Sequence, residues 1–457
     1  MTDKLKKEKH ELIKALIQTE AEINKTAKAQ AVADKRTRQI KESSTYKAAG
    51  PVKKLGRGDS QEQEIRILKA ELDEVKKELQ ETKEALSLSK LDSGTMNSIR
   101  INNAVREMKN DASLVSFIDE AVRQKRQHDA NYIQALTYAG RLFMNEQEAY
   151  RKAIYTSLLP GFKIEDIPEF MMREALTGSL QMKEAASFRA SLNMRIRQYQ
   201  LTGELPEYVL DDKQAAYAFM DKLAIRRPWT SEKTYKADEL PLEPQTVVKP
   251  RDGAGARGVY LIHDFNDIID LKRAKALDSR EALTASMKAD IESGWVEADD
   301  WMMEELIMED KENKIPGSDI KFYCFYGEVG LVLEIKRYPE LKYCWWTANG
   351  ERVHTGKYDN DPFKGKGVSR EEIEMACRIS KEIPAPFIRI DFLRSEEGLV
   401  FGEFTPKPGN YDEFDTETDQ WMGDLFLEAE GRLLNDLLNQ RPFNSYMGME
   451  SRQDSIN

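Results

Sequence analysis

The hydrophobic spacing of the first 159 residues predicts helices. Only Pro51 interrupts this stretch, and proline is the residue that a helix interior tolerates least. From residue 65 to residue 86, apolar side chains recur at the a and d positions of a heptad, with Thr82 as the exception. The apolar seam consists of Ile65, Leu68, Leu72, Val75, Leu79 and Leu86. A narrow seam of this kind predicts a coiled coil, here over residues 59–97, and it needs a partner helix, so we expect self-association.

Residues 98–205 carry wider apolar faces, which are typical of helices packed into a globular core. The apolar positions include Ala104, Val105, Met108, Leu114, Phe117, Ile118, Ala121 and Val122. The pattern ends near Gly203 and Pro206, two residues that stop helices. We therefore predict a helical domain over residues 98–205.

The pattern changes after Pro206. Short β-branched and aromatic runs bounded by glycine and proline now alternate with helical segments, which predicts an α+β unit with antiparallel hairpins over residues 206–441. The predicted strands are 246–249, 259–262, 301–307, 319–326, 329–336, 387–393 and 399–404. The predicted helices are 213–223, 265–274, 279–291, 370–381 and 419–438. A flexible tail is expected over residues 442–457.

Composition narrows the class of protein. No stretch approaches the roughly 18 to 20 uncharged apolar residues of a membrane span, and the lysine-rich N-terminus lacks the apolar region of a secretory signal. The cysteines Cys324, Cys344 and Cys377 are far apart, which is typical of free thiols in a reducing compartment. Four scattered histidines make a histidine-ligated zinc site unexpected. We expect a cytoplasmic protein without a nucleic-acid partner.

Charge is distributed unevenly along the chain. Residues 1–60 carry 15 Lys and Arg against 8 Asp and Glu, or +7, whereas the remainder carries 54 against 72, or −18, which gives the net −11. A basic N-terminal helical segment over residues 1–58 can contact anionic lipid at a membrane surface. The alternative is a solvated helix with surplus lysine, and the sequence favours it.

A glycine-rich loop follows the predicted strand that delivers Lys249. Gly253, Gly255 and Gly258 allow backbone N–H groups to converge on an anion, and Lys249 adds a positive charge. The loop lacks the Gly-Lys-Ser/Thr sequence of a Walker A motif, and a strand rather than a helix follows it. Taken alone, an ordinary β-turn explains the pattern as well as a phosphate-binding loop does.

Two carboxylates occupy a predicted hairpin near the C-terminus. If the strands carrying Asp391 and Glu403 pair, these side chains share one face in an apolar setting. Buried carboxylates need compensation, and Mg²⁺ bound by one or two carboxylates and by phosphate oxygens supplies it. Salt bridges to Arg389 or Lys407 are the alternative.

Taken in order, five motifs resemble an ATP-grasp domain, in particular the TupA-like branch named for teichuronopeptide biosynthesis. The resemblance covers residues 205–440 and leaves the helical half without a family. The motifs are Asp212-Lys213 with Lys222-Leu223-Ala224-Ile225-Arg226-Arg227-Pro228, the Lys249-Pro250 strand with its glycine loop, Glu304-Glu305-Leu306-Ile307, Asp319-Ile320-Lys321-Phe322-Tyr323, and Gly402-Glu403-Phe404-Thr405-Pro406-Lys407-Pro408-Gly409. It implies an ATP-grasp fold of antiparallel sheets with flanking helices.

The resemblance also implies roles for nucleotide-binding residues. Lys213 and Lys249 would contact the ATP phosphates, which the loop over residues 253–258 would cover. Backbone groups of Glu304, Glu305, Leu306 and Ile307 would face the adenine. Glu309 or Asp310 would lie near the ribose.

Further implied roles concern catalysis and metal binding. Lys321 would reach the γ-phosphate, and Asp391 and Glu403 would hold Mg²⁺. Thr405 stands where most ATP-grasp enzymes have a metal-binding Asn, which leaves the number of ions open. Arg389 would stabilise developing charge, with an ion pair to Asp391 as the equal alternative, and Lys407 and Asn410 would face the acceptor.

The implied reaction is the ATP-dependent joining of a carboxylate substrate and an amine acceptor through an acylphosphate. The TupA-like branch points to a cell-surface polysaccharide or its precursor, through amidation of a uronic acid or addition of an amino acid to a saccharide-linked group. The alternatives are a kinase that phosphorylates a hydroxyl group and a coiled-coil scaffold that only binds nucleotide.

Overall fold

The computed structural model describes most of the chain beyond residue 96. The described ranges are 35, 97–178, 180–251, 256–337, 340–360 and 362–449. The expected basic segment and coiled coil, with the self-association and membrane contact expected of them, therefore lie outside the described residues, apart from Lys35 and Asn97. The chain divides into two compact units, Met1–Gly161 and Phe162–Asn457.

The described part of the first unit contains three helices. They are α1 (Ser98–Asn110), α2 (Leu114–Leu142) and α3 (Glu148–Leu158). Asn97 caps α1, because its side chain accepts a hydrogen bond from the N–H of Arg100 at 3.0 Å. Met108 and Phe117 are buried together where α1 meets α2. Among the described residues, no helix combines the length and the apolar composition that crossing a bilayer requires.

Five α-helices of the second unit begin at polar caps. The side chains of Ser187, Asp212, Ser279, Ser369 and Asp415 each accept a hydrogen bond from an N–H in the first turn, which satisfies a donor that the helix itself cannot. The helices are α4 (Glu169–Leu176), α5 (Phe188–Thr202), α6 (Pro206–Val209), α7 (Lys213–Lys222), α8 (Arg280–Glu292), α9 (Arg370–Lys381) and α10 (Thr416–Leu438).

Two five-stranded sheets form the body of the second unit, and all pairs of named strands are antiparallel. The first sheet has the order β4-β3-β2-β1-β5 and the second sheet β10-β9-β8-β11-β12, with a separate β6–β7 hairpin. The strands are β1 (Thr246–Pro250), β2 (Tyr260–Asp264), β3 (Asp267–Asp270), β4 (Lys275–Leu277), β5 (Trp301–Glu305), β6 (Met308–Asp310), β7 (Ile315–Pro316), β8 (Asp319–Cys324), β9 (Val329–Lys336), β10 (Lys342–Thr347), β11 (Ile388–Ser395) and β12 (Gly398–Thr405). The α+β class with antiparallel sheets is as predicted.

The helix predicted over residues 265–274 is wrong, because this segment forms β3 and the turn into β4. Ile268 is fully buried in the core between the first sheet and α8, whereas Ile269 packs beside Leu261 on the opposite face of the sheet. Successive side chains point to opposite faces only in a strand. The sequence pattern also did not predict β10, which forms one edge of the second sheet.

Residues 162–205 belong to the second unit, whereas the sequence placed them in a separate helical domain. Phe188, at the start of α5, is fully buried, and its ring centroid lies 4.9 Å from that of Phe387 beside the second sheet. Asp419 on α10 accepts hydrogen bonds from the Ser187 hydroxyl at 2.7 Å and from the Arg189 N–H at 2.9 Å. The structure divides the chain at residue 161 because this aromatic core needs α5.

The described part of the expected tail is packed. Phe443 is buried, and the Tyr446 hydroxyl donates to the carbonyl of Pro206 at 3.2 Å. Residues 450–457 lie outside the described residues.

Candidate functional site

A cleft of about 340 Å³ lies between the two five-stranded sheets. Its apolar lining is Val247, Val259, Leu261, Leu271, Leu306, Ile307, Phe392 and Leu393. Its charged lining is Lys213, Lys249, Glu304, Glu305, Asp319, Lys321, Lys336, Arg337, Asp391 and Glu403. The cleft can therefore take a ligand that has both an apolar part and a charged part.

Two lysines present positive charge to the cleft: Lys249 lies on β1 of the first sheet, and Lys213 lies in the first turn of α7, which packs on the second sheet. Lys249 on β1 forms an ion pair with Glu304 on the adjacent strand β5. Burial, and then repulsion by the Lys249 ammonium, lower the pKa of Lys213 to about 8, although Glu304 opposes this shift. Two ammonium groups thus share one carboxylate, a surplus that an anion such as phosphate would satisfy.

A row of charged residues crosses the second sheet. Lys321 on β8 is the register partner of Asp391 on β11, which is in turn the register partner of Glu403 on β12. The three side chains therefore point to one face of the sheet. Directly beside this row, the β11–β12 register shifts, leaving Gly402 as an extra residue. A β-carbon there would lie 3.2 Å from the carbonyl oxygen of Asp391, so the bulge needs a small residue.

Asp391 is buried and holds two cations. The Nε and Nη2 atoms of Arg389 each donate to one of its carboxylate oxygens at 2.7 Å, and the Lys321 ammonium contacts the same group. Burial alone would raise the pKa of Asp391, but Arg389 and Lys321 outweigh it and hold the pKa below its ordinary value. Asp391 is therefore ionised at neutral pH.

Glu403 is in the opposite electrostatic situation. Burial among the surrounding protein atoms, and then the charge of Asp391, raise its pKa. Its side chain is nevertheless open to water in the cleft. A cation beside it would relieve this unfavourable charge.

The donor set suits Mg²⁺. Among the described residues, no group of three His, Cys, Asp or Glu side chains could hold a metal ion by itself. Mg²⁺ usually binds one or two carboxylates together with phosphate oxygens and water, so Asp391 and Glu403 fit a metal that arrives with a nucleotide. The hydroxyl of Thr405, the third predicted ligand, accepts a hydrogen bond from Arg389 at 3.0 Å, which leaves one lone pair for another partner.

The strand end expected to face adenine lies in the cleft. Glu305, Leu306 and Ile307 line it, but several of their polar groups are already bonded. The N–H of Leu306 donates to the carbonyl of Gln245 at 3.0 Å, and the Glu305 carboxylate pairs with Arg226 at 2.9 Å.

Glu309, expected near the ribose, is not part of the cleft lining. Its carboxylate accepts hydrogen bonds from the Ser318 hydroxyl and forms an ion pair with Lys366, both at 2.5 Å. Asp310 is at the surface, where it accepts from the side chain and N–H of Asn313.

The glycine loop is described only in part, because Gly253 and Gly255 lie outside the described residues. Gly258 has a φ of +68°, and an added β-carbon would lie 2.8 Å from Val296 and 3.2 Å from Trp301. Backbone conformation and space both favour glycine at this position.

A model of the TupA-like ATP-grasp family matches residues 190–427, which is more than half of the chain. The chain belongs to this family. Its ATP-grasp domain thus includes α5, consistent with the place of residues 162–205 in the second unit.

Several solved structures are similar to the chain. D-alanine–D-alanine ligase from Bacillus anthracis is 15% identical, with a TM-score of 0.30 over 50% of this chain and 70% of that chain. The corresponding ligase from Helicobacter pylori is 12% identical, with a TM-score of 0.28 over 48% and 58%. ATP-grasp ligase PsnB in complex with a minimal precursor, Mg and ADP is 12% identical, with a TM-score of 0.29 over 57% and 68%. No curated protein matches the chain. Because the TM-scores are low, the family assignment rests on the sequence match.

Residues that the sequence analysis missed also line the ATP-grasp cleft. Arg337, just beyond β9, donates to both carboxylate oxygens of Asp319, at 2.6 and 2.9 Å. Lys336 and Arg337 directly follow the apolar run of β9, as Lys249 follows that of β1. A basic residue at the end of an apolar strand is the pattern that identified Lys249, and it could therefore have identified Lys336 and Arg337 as well.

Proposed function

We propose that this ATP-grasp domain binds Mg·ATP and acts as an ATP-dependent ligase that joins a carboxylate to an amine. The observation that carries the proposal is the row Lys321–Asp391–Glu403 on the second sheet, which lines one cleft together with Lys249 on the first sheet and Lys213 on α7. Cations and metal-binding carboxylates around one cleft are what an enzyme needs to clamp a triphosphate. The apolar lining suits the adenine base.

The proposed reaction has two steps. A carboxylate oxygen of the substrate attacks the γ-phosphorus, the bond to the β,γ-bridging oxygen breaks, and ADP leaves. The amine nitrogen then attacks the carbonyl carbon of the acylphosphate, the bond to the phosphate oxygen breaks, and the amine proton passes to solvent. Mg²⁺, when bound, would supply further neutralisation of phosphate charge.

The chain's own residues position the reactants and neutralise charge. Lys249 on the first sheet and Lys213 on α7 would hold phosphate oxygens. Lys321 would exchange its contact with Asp391 for a contact with the γ-phosphate. Arg389 would hold Asp391 in place. No side-chain nucleophile is required.

For the substrate, we propose a carboxylate carried by a cell-surface polysaccharide or its precursor, such as a uronic acid, with an amine or amino acid as the acceptor. The support is membership of the TupA-like branch. A panel of uronic acids, amino acids and sugar nucleotides, screened by thermal shift with Mg·ATP, would identify the acid.

The decisive assay is phosphate release from Mg·ATP. We expect release only when acid and amine are both present, and loss of release in Glu403→Gln. Phosphoryl transfer to a hydroxyl acceptor without an amine would instead identify a kinase. Absence of any thermal stabilisation by Mg·ATP would overturn the proposal altogether.

A further inference from the structure

Lys357 is a buried lysine outside the cleft. It is 2% exposed, and its ammonium donates to the carbonyl of Gly409 at 2.6 Å. The ammonium also lies over two aromatic rings, 5.0 Å from the centroid of Tyr358 and 5.1 Å from that of Phe414. Burying a lysine is costly, and here a carbonyl and two ring faces contact the ammonium and help to compensate.

The segment that carries Lys357 is fixed against the loop that follows β12. The N–H of Asp415 donates to the carbonyl of Thr355 at 2.8 Å, and the indole of Trp345 donates to the carbonyl of Lys357 at 2.7 Å. Gly356 has a φ of +79°, and a β-carbon there would lie 2.8 Å from the backbone nitrogen of Asp415. The two segments therefore approach more closely than ordinary side chains allow.

Left-handed backbone occurs on both sides of this contact. Tyr358 and Asn410 have φ values of +60° and +52°. Asparagine adopts this region readily, whereas for tyrosine such a conformation persists only where the surrounding structure enforces it. The Lys357–Gly409 hydrogen bond lies next to both residues.

The loop leads back to the charged row of the cleft. It leaves the second sheet at Thr405, whose hydroxyl accepts from Arg389 at 3.0 Å, and Arg389 in turn holds Asp391. We propose that Lys357 is a positioning residue, which fixes the 405–410 loop and, through Thr405, the orientation of Arg389 towards Asp391. This inference rests on the proposed function only in treating the cleft as a catalytic site.

The charge of Lys357 matters to this contact, because a neutral amine is a weaker donor and loses its attraction to the rings. Burial lowers the pKa of Lys357 to about 8, with Arg389 lowering it further and Glu413 and Asp412 opposing the shift. The contact should therefore weaken as the pH rises through about 8.

Pulsed hydrogen–deuterium exchange of the full-length protein tests this role by comparing wild type with Lys357→Met and Lys357→Arg. The measured quantity is the exchange rate of the peptide over residues 402–411, corrected for intrinsic exchange. Lys364→Met, at an exposed lysine nearby, is the matched control. We expect Lys357→Met to speed exchange in this peptide at least about tenfold and Lys357→Arg to restore protection. The wild-type loop should lose protection above pH 8, whereas the arginine variant should keep it.

Binding of a non-hydrolysable ATP analogue without Mg²⁺ distinguishes a local effect on the loop from damage to the whole fold. Affinity for the analogue should change less than about twofold in Lys357→Met, because the lysines that would hold the phosphates are untouched and no metal depends on Asp391. Unchanged loop exchange, or equal pH dependence in wild type and Lys357→Arg, would overturn the inference. If neither the wild-type protein nor Lys357→Met binds nucleotide, the proposed function fails. The exchange measurement on the loop still decides the role of Lys357 in that case.

Discussion

Replacing Lys213 with arginine should abolish a loss of nucleotide affinity that the wild-type protein shows above pH 8. Burial, and then the Lys249 ammonium, lower the pKa of Lys213 to about 8 in the free protein. ATP phosphates placed against Lys213 would favour its charged form and raise this pKa. Because the pKa is lower in the free protein than in the complex, binding takes up protons, and affinity falls as the pH rises through this range.

The size of the effect follows from the two pKa values. If bound phosphate restores the pKa of Lys213 to its ordinary 10.5, the dissociation constant rises about 30-fold from pH 7 to pH 9.5, or ~2 kcal/mol. Near pH 8, about half a proton should be taken up per nucleotide. Solvent screening at this half-buried side chain makes these figures upper values.

Isothermal titration calorimetry with a non-hydrolysable ATP analogue and Mg²⁺ measures both quantities. Titrations in buffers of different ionisation enthalpy give the proton uptake, and titrations across this pH range give the affinity. Lys213→Arg should bind with an affinity that is independent of pH, because arginine stays charged. Lys213→Met should bind weakly at every pH.

Lys357 also has a pKa of about 8 but lies outside the cleft lining, so it provides the control in titrations of the analogue without Mg²⁺. In those titrations Lys357→Met should keep the wild-type pH dependence of nucleotide affinity. The reasoning is refuted if wild-type affinity is flat across the range, or if Lys213→Arg still loses affinity at high pH.

Three further predictions concern activity and stability. Glu403→Gln should abolish Mg·ATP turnover without lowering the melting temperature at pH 7, because burial and Asp391 already raise the pKa of Glu403. Asp391→Asn should instead destabilise the fold by about 3 kcal/mol or more, since it leaves buried cations unpaired. Equal melting temperatures for the two variants would contradict this contrast. Burial lowers the pKa of His263 below 6.5, so wild-type stability in urea should fall as the pH drops below that value, and His263→Phe should lessen the fall. In the same urea assay, Gly258→Ala should lower the free energy of unfolding by about 1–3 kcal/mol more than Gly350→Ala does. Both glycines have positive φ, but of the two only Gly258 lacks room for a β-carbon. Equal losses of unfolding free energy would argue against crowding at Gly258.

Much of the ATP-grasp domain could be predicted from local sequence. The strand Val329–Lys336 and the helix Arg370–Lys381 have the predicted bounds, because the first is a short, largely apolar run that is buried on both faces and the second has helical apolar spacing. Residues 265–274 were mispredicted because their isoleucines pack on opposite faces of a sheet, and no local pattern shows that a neighbouring strand is available. Whether a segment forms a strand therefore depends on the strands that it can pair with as well as on its own residue propensities.

The sequence by itself determined the ordered motifs, and with them the family and the charged residues of the cleft other than Lys336 and Arg337. Only the tertiary structure showed that Asp391 is held by Arg389 and Lys321, that Thr405 bonds Arg389, and that Glu309 lies outside the cleft lining. The reason is physical: spacing along a chain fixes which face of a strand a side chain occupies, but pKa values and ion pairs depend on groups far away in sequence. Asp391 and Lys321 are separated by 70 residues yet paired across two strands.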